Sequence, residues 1–306
     1  MTKEKWQGHI AVLSTNVIFG LNTPISKSIL MEWISPFALT LLRMVIASIV
    51  FWIIGLFFEK EKVRKQDMFI LFLGALFGLA GSQISFATGL QNTSPVSLSL
   101  ITSMTPVVVM LLAALWLKEP ITGKKTLGVL LGIAGAIMII SGSYNMRVGM
   151  ENRTLGNLMG IVNIVSYGIY LVIIRPVSQR YSPLTLMKWM FLFSVPLSFP
   201  FGINDLFTAR VFTPEAGWDV WARLAFVVVI ATVVAYFFVP IGLKRIRPTT
   251  VSMYSNIQPI VASTVAIVVG QDIFSWDKLL AAVLVLCGVY LVTQSKSKVD
   301  IVKKNR

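Results

Sequence analysis

Long apolar segments separated by short polar stretches recur along the chain. About 20 apolar residues are needed for a helix to cross the hydrocarbon core of a bilayer. Ten segments approach this length, at 9–28, 36–58, 68–90, 95–117, 124–143, 154–174, 184–202, 221–242, 249–270 and 277–294. The pattern therefore predicts an all-α integral membrane protein with ten transmembrane helices.

Residues 89–142 of the first half recur as residues 242–295 of the second half, at a constant shift of 153 positions. The first two segments of each half align at a shift of 147 instead, which pairs Asn16 with Asn163. An internal repeat in a membrane chain is typical of two half-bundles that enclose a central path. The pairs at the longer shift are Gly89 and Gly242, Pro95 and Pro248, Ser99 and Ser252, Thr102 and Ser255, Pro106 and Pro259, Glu119 and Asp272, Thr122 and Ser275, and Gly135 and Gly288.

Each copy of the repeat contains five predicted helices. Because an odd number of crossings leaves the chain on the opposite side of the membrane, the second copy must be inverted relative to the first. We predict a first five-helix repeat at 1–143, a connecting loop at 144–153, an inverted second repeat at 154–295 and a basic tail at 296–306.

The distribution of basic residues predicts the orientation. Lys and Arg are retained in cytoplasmic connections. Of the 27 basic residues, six lie in one set of alternate connections, whereas 19 lie in the termini and the connections near 59–67, 118–125, 175–180 and 243–248. Both termini are therefore expected in the cytoplasm, in a multi-pass protein of the cytoplasmic (inner) membrane. The net charge of +14 follows from the same distribution, so we expect lipid neighbours and no nucleic-acid partner.

The composition excludes several function classes. Charged residues make up 13% of the chain and the mean hydropathy is +0.78, whereas soluble proteins carry about 25% charged residues. Cys287 is the single cysteine and His9 the single histidine, so we predict no metal site. The sequence has no nucleotide-binding glycine loop and no HExxH motif. We therefore expect no enzymatic activity and no cofactor, and transport without ATP hydrolysis by the chain.

Three stretches resemble the EamA transporters of the drug/metabolite transporter superfamily. They are SPFALTLLRMVIA at 35–47, LKEPITGKKTLGVLLGIAGAIMI at 117–139 and GQDIFSWDKLLAAVLVLCGVYLV at 270–292. The resemblance covers nearly the whole chain and implies a ten-helix exporter of amino acids or other small metabolites. The second copy departs from the pattern, with Asp272 where Glu is common and Met190 where Arg43 would align.

Polar side chains inside the predicted helices are candidates for the substrate path, because such groups are costly in lipid and normally face the bundle interior. In the first helix, Asn16, Gly20 and Thr23 share one face. For any single Ser or Thr, a hydrogen bond between helices without a ligand is the alternative. The predicted substrate-binding residues are Asn16, Arg43, Gln83, Thr102, Ser103, Asn163, Tyr167, Tyr170, Tyr236, Ser255 and Asn256.

Pro106 and Pro259 lie near the middle of their predicted helices. Proline cannot donate to the carbonyl four residues earlier, which belongs to Thr102 in one copy and Ser255 in the other. Paired interruptions at equivalent depths predict hinges around a central binding region. A kink that only sets the shape of the helix is the alternative.

Arg43 and Lys188 are the charged residues well inside the predicted helices. We expect Lys188 to extend toward a membrane interface. For Arg43, two alternatives are open: backbone carbonyls cap the guanidinium, or it meets an anionic group of the substrate. A carboxylate would bind a guanidinium through two parallel hydrogen bonds.

These features together favour a secondary or facilitative carrier that exports an amino acid or similar small metabolite by alternating access. The aromatic side chains of Tyr167, Tyr170 and Tyr236 favour an amino acid as the substrate, including an aromatic one. The alternatives are a carrier of sugars or phosphorylated compounds, and a membrane receptor or assembly subunit without flux. The expected partners are a small-molecule substrate and membrane lipids, with the chain as a monomer or homodimer.

Overall fold

The computed structural model describes residues 3–30, 32–93, 98, 101–141, 152–268 and 276–295. Helices form where the apolar segments predicted them. In chain order they are α1 (Lys3–Leu30), α2 (Pro36–Gly55), α3 (Lys65–Asn92), α4 (Thr105–Trp116), α5 (Gly123–Ser141), α6 (Arg153–Ser178), α7 (Pro183–Phe207), α8 (Trp218–Arg245), α9 (in two pieces, Pro248–Met253 and Gln258–Val268) and α10 (Trp276–Gln294). Pro95, Ser99, Asp272, Ser275, most of the predicted connecting loop and the predicted tail lie outside the described residues.

Five helices in the described part of the chain are long and apolar enough to cross a membrane, namely α2, α3, α6, α7 and α8. α4 and the segment Leu279–Gln294 of α10 are apolar but shorter. The predicted all-helical fold is confirmed for the described residues. Ten crossings remain a prediction.

α2 and α7 begin with the same two residues and pack against each other. Ser35 and Ser182 each precede a proline and accept a hydrogen bond from a backbone N–H of the first helical turn, as an N-cap does. Each serine also binds an acidic residue near the far end of the other helix, Asp205 in the last turn of α7 and Glu61 in the connection that follows α2. Ser35 Oγ donates to Asp205 Oδ2 at 2.5 Å, and Ser182 N donates to Glu61 Oε2 at 2.9 Å. The two helices therefore run antiparallel, with both ends linked.

α5 and α10 approach closely along a line of small residues. A methyl group on Gly128 would lie 2.7 Å from the carbonyl oxygen of Gly288, and one on Gly135 would lie 2.6 Å from that of Ala281. Gly128 and Ala281 are 153 positions apart, as are Gly135 and Gly288. The contacts are therefore reciprocal, as at an interface with two-fold symmetry.

Departures from the α-helix occur at matching positions. α3 is π-helical over Ala75–Gly81 and α8 over Phe226–Val234. Both π segments end at residues 153 positions apart, Gly81 and Val234. Residues 103–104 form a turn before α4, and a 3-10 turn at Tyr254–Ile257 divides α9. π segments and helix interruptions often occur at functional sites.

Candidate functional site

A cavity lies among helices of both halves of the chain. Helices α1, α2, α3, α6, α8 and α9 form its wall together with the start of α4. The lining residues are Phe19, Asn22, Thr23, Arg43, Ser82, Gln83, Phe86, Thr102, Thr105, Asn163, Tyr167, Tyr236, Ser255 and Gln258.

The cavity brings together most of the predicted substrate-binding residues. They are Arg43, Gln83, Thr102, Asn163, Tyr167, Tyr236 and Ser255. Two pairs among them, Gln83 with Tyr236 and Thr102 with Ser255, are related by the 153-residue shift. Residues that the repeat makes equivalent thus face one common space.

Gln83 and Tyr236 join the two halves directly in the cavity wall. The side-chain amide of Gln83 donates to the hydroxyl of Tyr236, and both side chains are buried. The ring of Phe19 lies against that of Tyr236, with the ring centroids 5.4 Å apart. The hydrogen bond with Gln83 orients the tyrosine hydroxyl toward α3.

Arg43 is almost fully buried, with 2% of its surface exposed. Its Nε donates to Thr232 Oγ1 at 2.7 Å, and Thr232 Oγ1 in turn donates to the carbonyl of Val227 at 2.8 Å. Within the described residues, no carboxylate forms an ion pair with Arg43. A hydroxyl in the π segment of α8, rather than the backbone carbonyls considered above, therefore holds Nε.

The carbonyls that the two prolines leave without their usual donor are both satisfied within the protein. Thr105 Oγ1 donates to the carbonyl of Thr102 at 2.6 Å. The backbone N–H of Gln258 donates to the carbonyl of Ser255. Thr105 and Gln258 are themselves 153 positions apart. Equivalent residues therefore donate to the equivalent carbonyl in each half. Pro106 and Pro259 are buried beside the cavity, outside its wall, and their role as hinges stays a prediction.

The two equivalent asparagines of α1 and α6 have different positions. Asn163 lines the cavity, and its Nδ2 donates to the carbonyl of Ser82 at 2.8 Å. Asn16 lies behind the wall, where its Nδ2 donates to the carbonyl of Val12 and its Oδ1 accepts from Gln258 Nε2 at 2.9 Å. Asn16 therefore positions a lining residue without being one.

Asn16, Ser103, Tyr170 and Asn256 were predicted to line the path but are not part of the cavity wall. Tyr170 is fully buried because its ring packs flat against α3, where a methyl group on Gly78 would lie 2.3 Å from the ring. Asn256 faces Gly132 of α5 instead of the cavity. Ser103 is also buried, in the turn before α4.

Six lining residues were not predicted, namely Phe19, Asn22, Ser82, Phe86, Thr105 and Gln258. α1 presents a different face from the one predicted, because Gly20 packs tightly against Val261 of α9. Thr23 alone of the predicted face reaches the cavity. Thr105 and Gln258 had a signal in the sequence, since both directly precede the paired prolines.

Lys188 lies away from this cavity. Its Nζ is 4.7 Å from the ring centroid of Trp52, a distance at which the aromatic face attracts a cation. Lys188 lines a second cavity at the end of α2 and the start of α7, beside Glu61 and Ser182. Its predicted extension toward a membrane interface stays a prediction.

The central cavity has a single charged side chain in its described wall, that of Arg43, and no acidic one. The other polar lining groups are hydroxyls and amides, which donate and accept hydrogen bonds. No group of three or more His, Cys, Asp or Glu residues that could hold a metal is found among the described residues. The site is therefore suited to non-covalent binding of a small polar molecule.

Comparison with known proteins identifies the same architecture elsewhere. The sequence model of the EamA-like transporter family matches residues 6–141 and 154–294. The uncharacterized transporter YyaM of Bacillus subtilis (strain 168) is 27% identical, over 92% of this chain and 92% of its own length. The uncharacterized transporter YetK of the same organism is 22% identical, over 98% of this chain and 91% of its own.

A plant protein and a solved structure extend the similarity. The protein WALLS ARE THIN 1 of Arabidopsis thaliana is 25% identical over 96% of this chain and 84% of its own length. A crystal structure with a TM-score of 0.73 and 20% sequence identity covers 96% of this chain and 99% of its own. At that identity the structural match shows a shared fold alone.

Proposed function

Because the chain belongs to the EamA-like transporter family, we propose that it is a secondary or facilitative transporter that exports an amino acid or similar small metabolite by alternating access. That the chain is a multi-pass membrane transporter follows from the family and from the names of its relatives. The sequence-based assignment to this family is confirmed. The family consists of transporters, which also confirms that the chain is not an enzyme.

The proposed fold has ten crossings in two inverted five-helix repeats. The reciprocal contacts of α5 and α10 support it, because pseudo-two-fold symmetry brings equivalent residues together in exchanged pairs. The antiparallel course of α2 and α7 supports inversion, since these helices are equivalent in the repeat. The contact of Gln83 with Tyr236 supports it too, because a pseudo-two-fold axis between the halves would bring equivalent residues next to each other.

The proposed orientation has both termini in the cytoplasm, across the cytoplasmic (inner) membrane. Labelling of single cysteines tests it, after Cys287→Ser removes the native thiol. We expect a membrane-impermeant maleimide to label Trp218→Cys, at the start of α8, in intact cells. Lys62→Cys, between α2 and α3, should react only after permeabilisation. The reverse pattern would contradict the orientation.

One observation carries the proposed transport mechanism: equivalent residues of the two halves line a single cavity at their junction. Thr102 and Ser255 face it at the two helix interruptions, so a movement at either interruption changes the wall of the same site. Alternating access needs such a shared site with a similar structural element on each side. Rocking of α3 and α4 against α8 and α9 around Pro106 and Pro259 would open it to each side in turn.

Export from proteoliposomes tests this function. We expect vesicles loaded with a mixed metabolite pool to release particular compounds only when the protein is present. Ser255→Trp places an indole in the cavity and should abolish that release. Thr264→Trp is the matched control, because Thr264 is exposed on the same helix. If no compound leaves faster than from protein-free vesicles, the carrier function is refuted.

A further inference from the structure

We propose that Arg43, oriented by Thr232, is the seat of a single carboxylate on the transported molecule. This assignment rests on the proposed transport function and narrows its substrate class. The compounds that fit are neutral amino acids and small monocarboxylates. Cationic amines, amides, dianions and uncharged sugars do not fit.

The first argument is the missing counter-ion. A buried cation is stable only when an opposite charge or a set of hydrogen bonds compensates it. Arg43 has five N–H donors, yet Nε to Thr232 is its one hydrogen bond among the described residues. The guanidinium lines the cavity. A carboxylate entering the cavity would therefore complete a pair of which the protein supplies one member.

The second argument is the orientation of the guanidinium. The hydroxyl hydrogen of Thr232 is used by the carbonyl of Val227, so its oxygen is left to accept from Nε of Arg43. Val227 and Thr232 are five positions apart within the π segment of α8. Because Nε is bound to Thr232, the two terminal nitrogens of the planar group are left for a ligand. Such a fork matches the two oxygens of a carboxylate.

The third argument is the composition of the rest of the wall. The described lining contains no carboxylate that could neutralise a substrate cation and no second cation that could hold another anionic group. An ammonium group can still be accepted by neutral oxygens, such as those of Thr102 and Ser255. The rings of Phe19, Phe86 and Tyr167 provide apolar surface for a side chain.

The fourth argument comes from the repeat. The positions equivalent to Arg43 and Thr232 are Met190 and Leu79. Both are fully buried, and Met190 belongs to the apolar core. The second half therefore has no counterpart of the seat, and the bundle offers one place for one carboxylate.

Thermal stabilisation of the full chain in detergent tests the seat directly. The probes are alanine, leucine and phenylalanine, each as the free acid and as the amide. We expect at least one free acid to bind about tenfold more tightly than its amide, because the amide loses the charge-assisted bidentate pair. If the amides stabilise the protein as well as the acids do, or no free acid stabilises it, the assignment is overturned.

Variants then test whether Arg43 and Thr232 are responsible for this preference. In Arg43→Gln the preference for acid over amide should fall to about one, and Arg43→Lys should retain part of it. Thr232→Val should reduce the same ratio, an effect that a purely structural role would not produce. Met190→Leu, at the equivalent position of the other half, should leave it unchanged. If Arg43→Gln proves unfolded, the acid-to-amide ratio of the unsubstituted chain still decides.

Failure of the seat and failure of transport have different signatures. Release of sugars or amines at rates equal to those of monocarboxylates would overturn the seat and leave transport intact. Acid-selective stabilisation that is lost in Arg43→Gln, without release of any compound, would support the seat and refute the transporter.

Discussion

The two halves of the molecule agree in backbone and differ in chemistry. Both have a π segment that ends at the same repeat position, and both interrupt a helix just before a proline. At the cavity, however, Arg43 of the first half corresponds to Met190 of the second, and Tyr167 of the second corresponds to Gly20 of the first. The shared features lie around the cavity, and the unmatched side chains of Arg43 and Tyr167 make its lining asymmetric.

This contrast teaches that positions related by the repeat can share a structural role without sharing side-chain chemistry. Thr105 and Gln258 both satisfy the carbonyl beside a proline, one through its side chain and the other through its backbone. Substitutions at shared backbone features should therefore have similar effects in either half. Substitutions at unmatched positions should affect one half alone.

Met190→Arg should have the largest effect, because it copies the chemistry of one half into the other. Met190 is fully buried in the apolar core, and the described residues give no equivalent of Thr232 there, since that position is Leu79. A buried guanidinium without a polar partner costs about 3–5 kcal/mol. We expect loss of monodisperse protein in size-exclusion chromatography, whereas Met190→Leu should elute as the unsubstituted chain does. A well-folded Met190→Arg would show that the halves are chemically interchangeable here.

Gly135→Ala and Gly288→Ala, at equivalent positions of the repeat, should be similarly destabilising, since each glycine faces the backbone of the opposite helix. An added methyl in such tight packing costs about 1–3 kcal/mol, which we expect to see as a lower melting temperature of the detergent-solubilised protein. Gly123→Ala is the control, because a methyl there meets nothing within 4 Å. If only one of the two variants is destabilised, the seam between α5 and α10 is not symmetric in energy.

The pair at the centre, Gln83 and Tyr236, should show coupled effects. Gln83→Leu and Tyr236→Phe each remove one side of a buried hydrogen bond, so the double variant should lose less stability than the two single losses combined. A coupling energy of about 1 kcal/mol is expected. Tyr290→Phe, on the outer surface of α10, should change neither stability nor coupling. Strict additivity would mean that the contact contributes nothing.

The smallest effect is expected at the links between α2 and α7. Burial alone would raise the pKa of the Glu61 carboxyl, but hydrogen bonds from Thr185 and Ser182 outweigh it and hold the pKa below its ordinary value of 4.5. A lowered pKa means that the ionised carboxylate stabilises the folded state at neutral pH and that this contribution is lost as the pH falls below about 4.5. Glu61→Gln should therefore lower the melting temperature at pH 7 by the equivalent of about 1 kcal/mol or less.

The pH dependence of the melting temperature tests whether the charge of Glu61 is responsible for its effect. The difference in melting temperature between Glu61→Gln and the unsubstituted chain should shrink on acidification from pH 7 to pH 4. Asp205→Asn is the matched variant at the opposite end of the helix pair, where Ser35 is the donor. A Glu61→Gln difference that is constant over this range would assign the effect to packing instead of charge.

Much of the fold could be predicted because both the hydropathy pattern and the repeat depend only on residue types and their positions in the sequence. The predicted segments 36–58 and 184–202 correspond to α2 and α7, and the 153-residue shift pairs Gln83 with Tyr236, which are in contact. Helix rotation could not be predicted in the same way. The face that α1 turns to the cavity depends on the close contact of Gly20 with Val261, which joins residues far apart in the sequence.

The π segments also account for differences between the predicted residues and the cavity wall. A π turn adds one residue and rotates everything after it relative to an α-helix, and hydropathy contains no signal for this change. The burial of Tyr170 against Gly78, within the π segment of α3, is a consequence that α-helical spacing does not predict. Asn256, also predicted to line the path, lies in the 3-10 turn of α9 and next to Gly132.

The glycine seam between α5 and α10 also constrains how the protein is made. Gly128 and Gly288 are 160 positions apart in the chain. At a synthesis rate of about 5–20 residues per second, α5 emerges roughly 8–30 s before its partner. Throughout that interval the newly made first half presents the glycine face of α5 without its partner helix. A chain released before α10 is made therefore leaves this backbone-exposing face of α5 without α10.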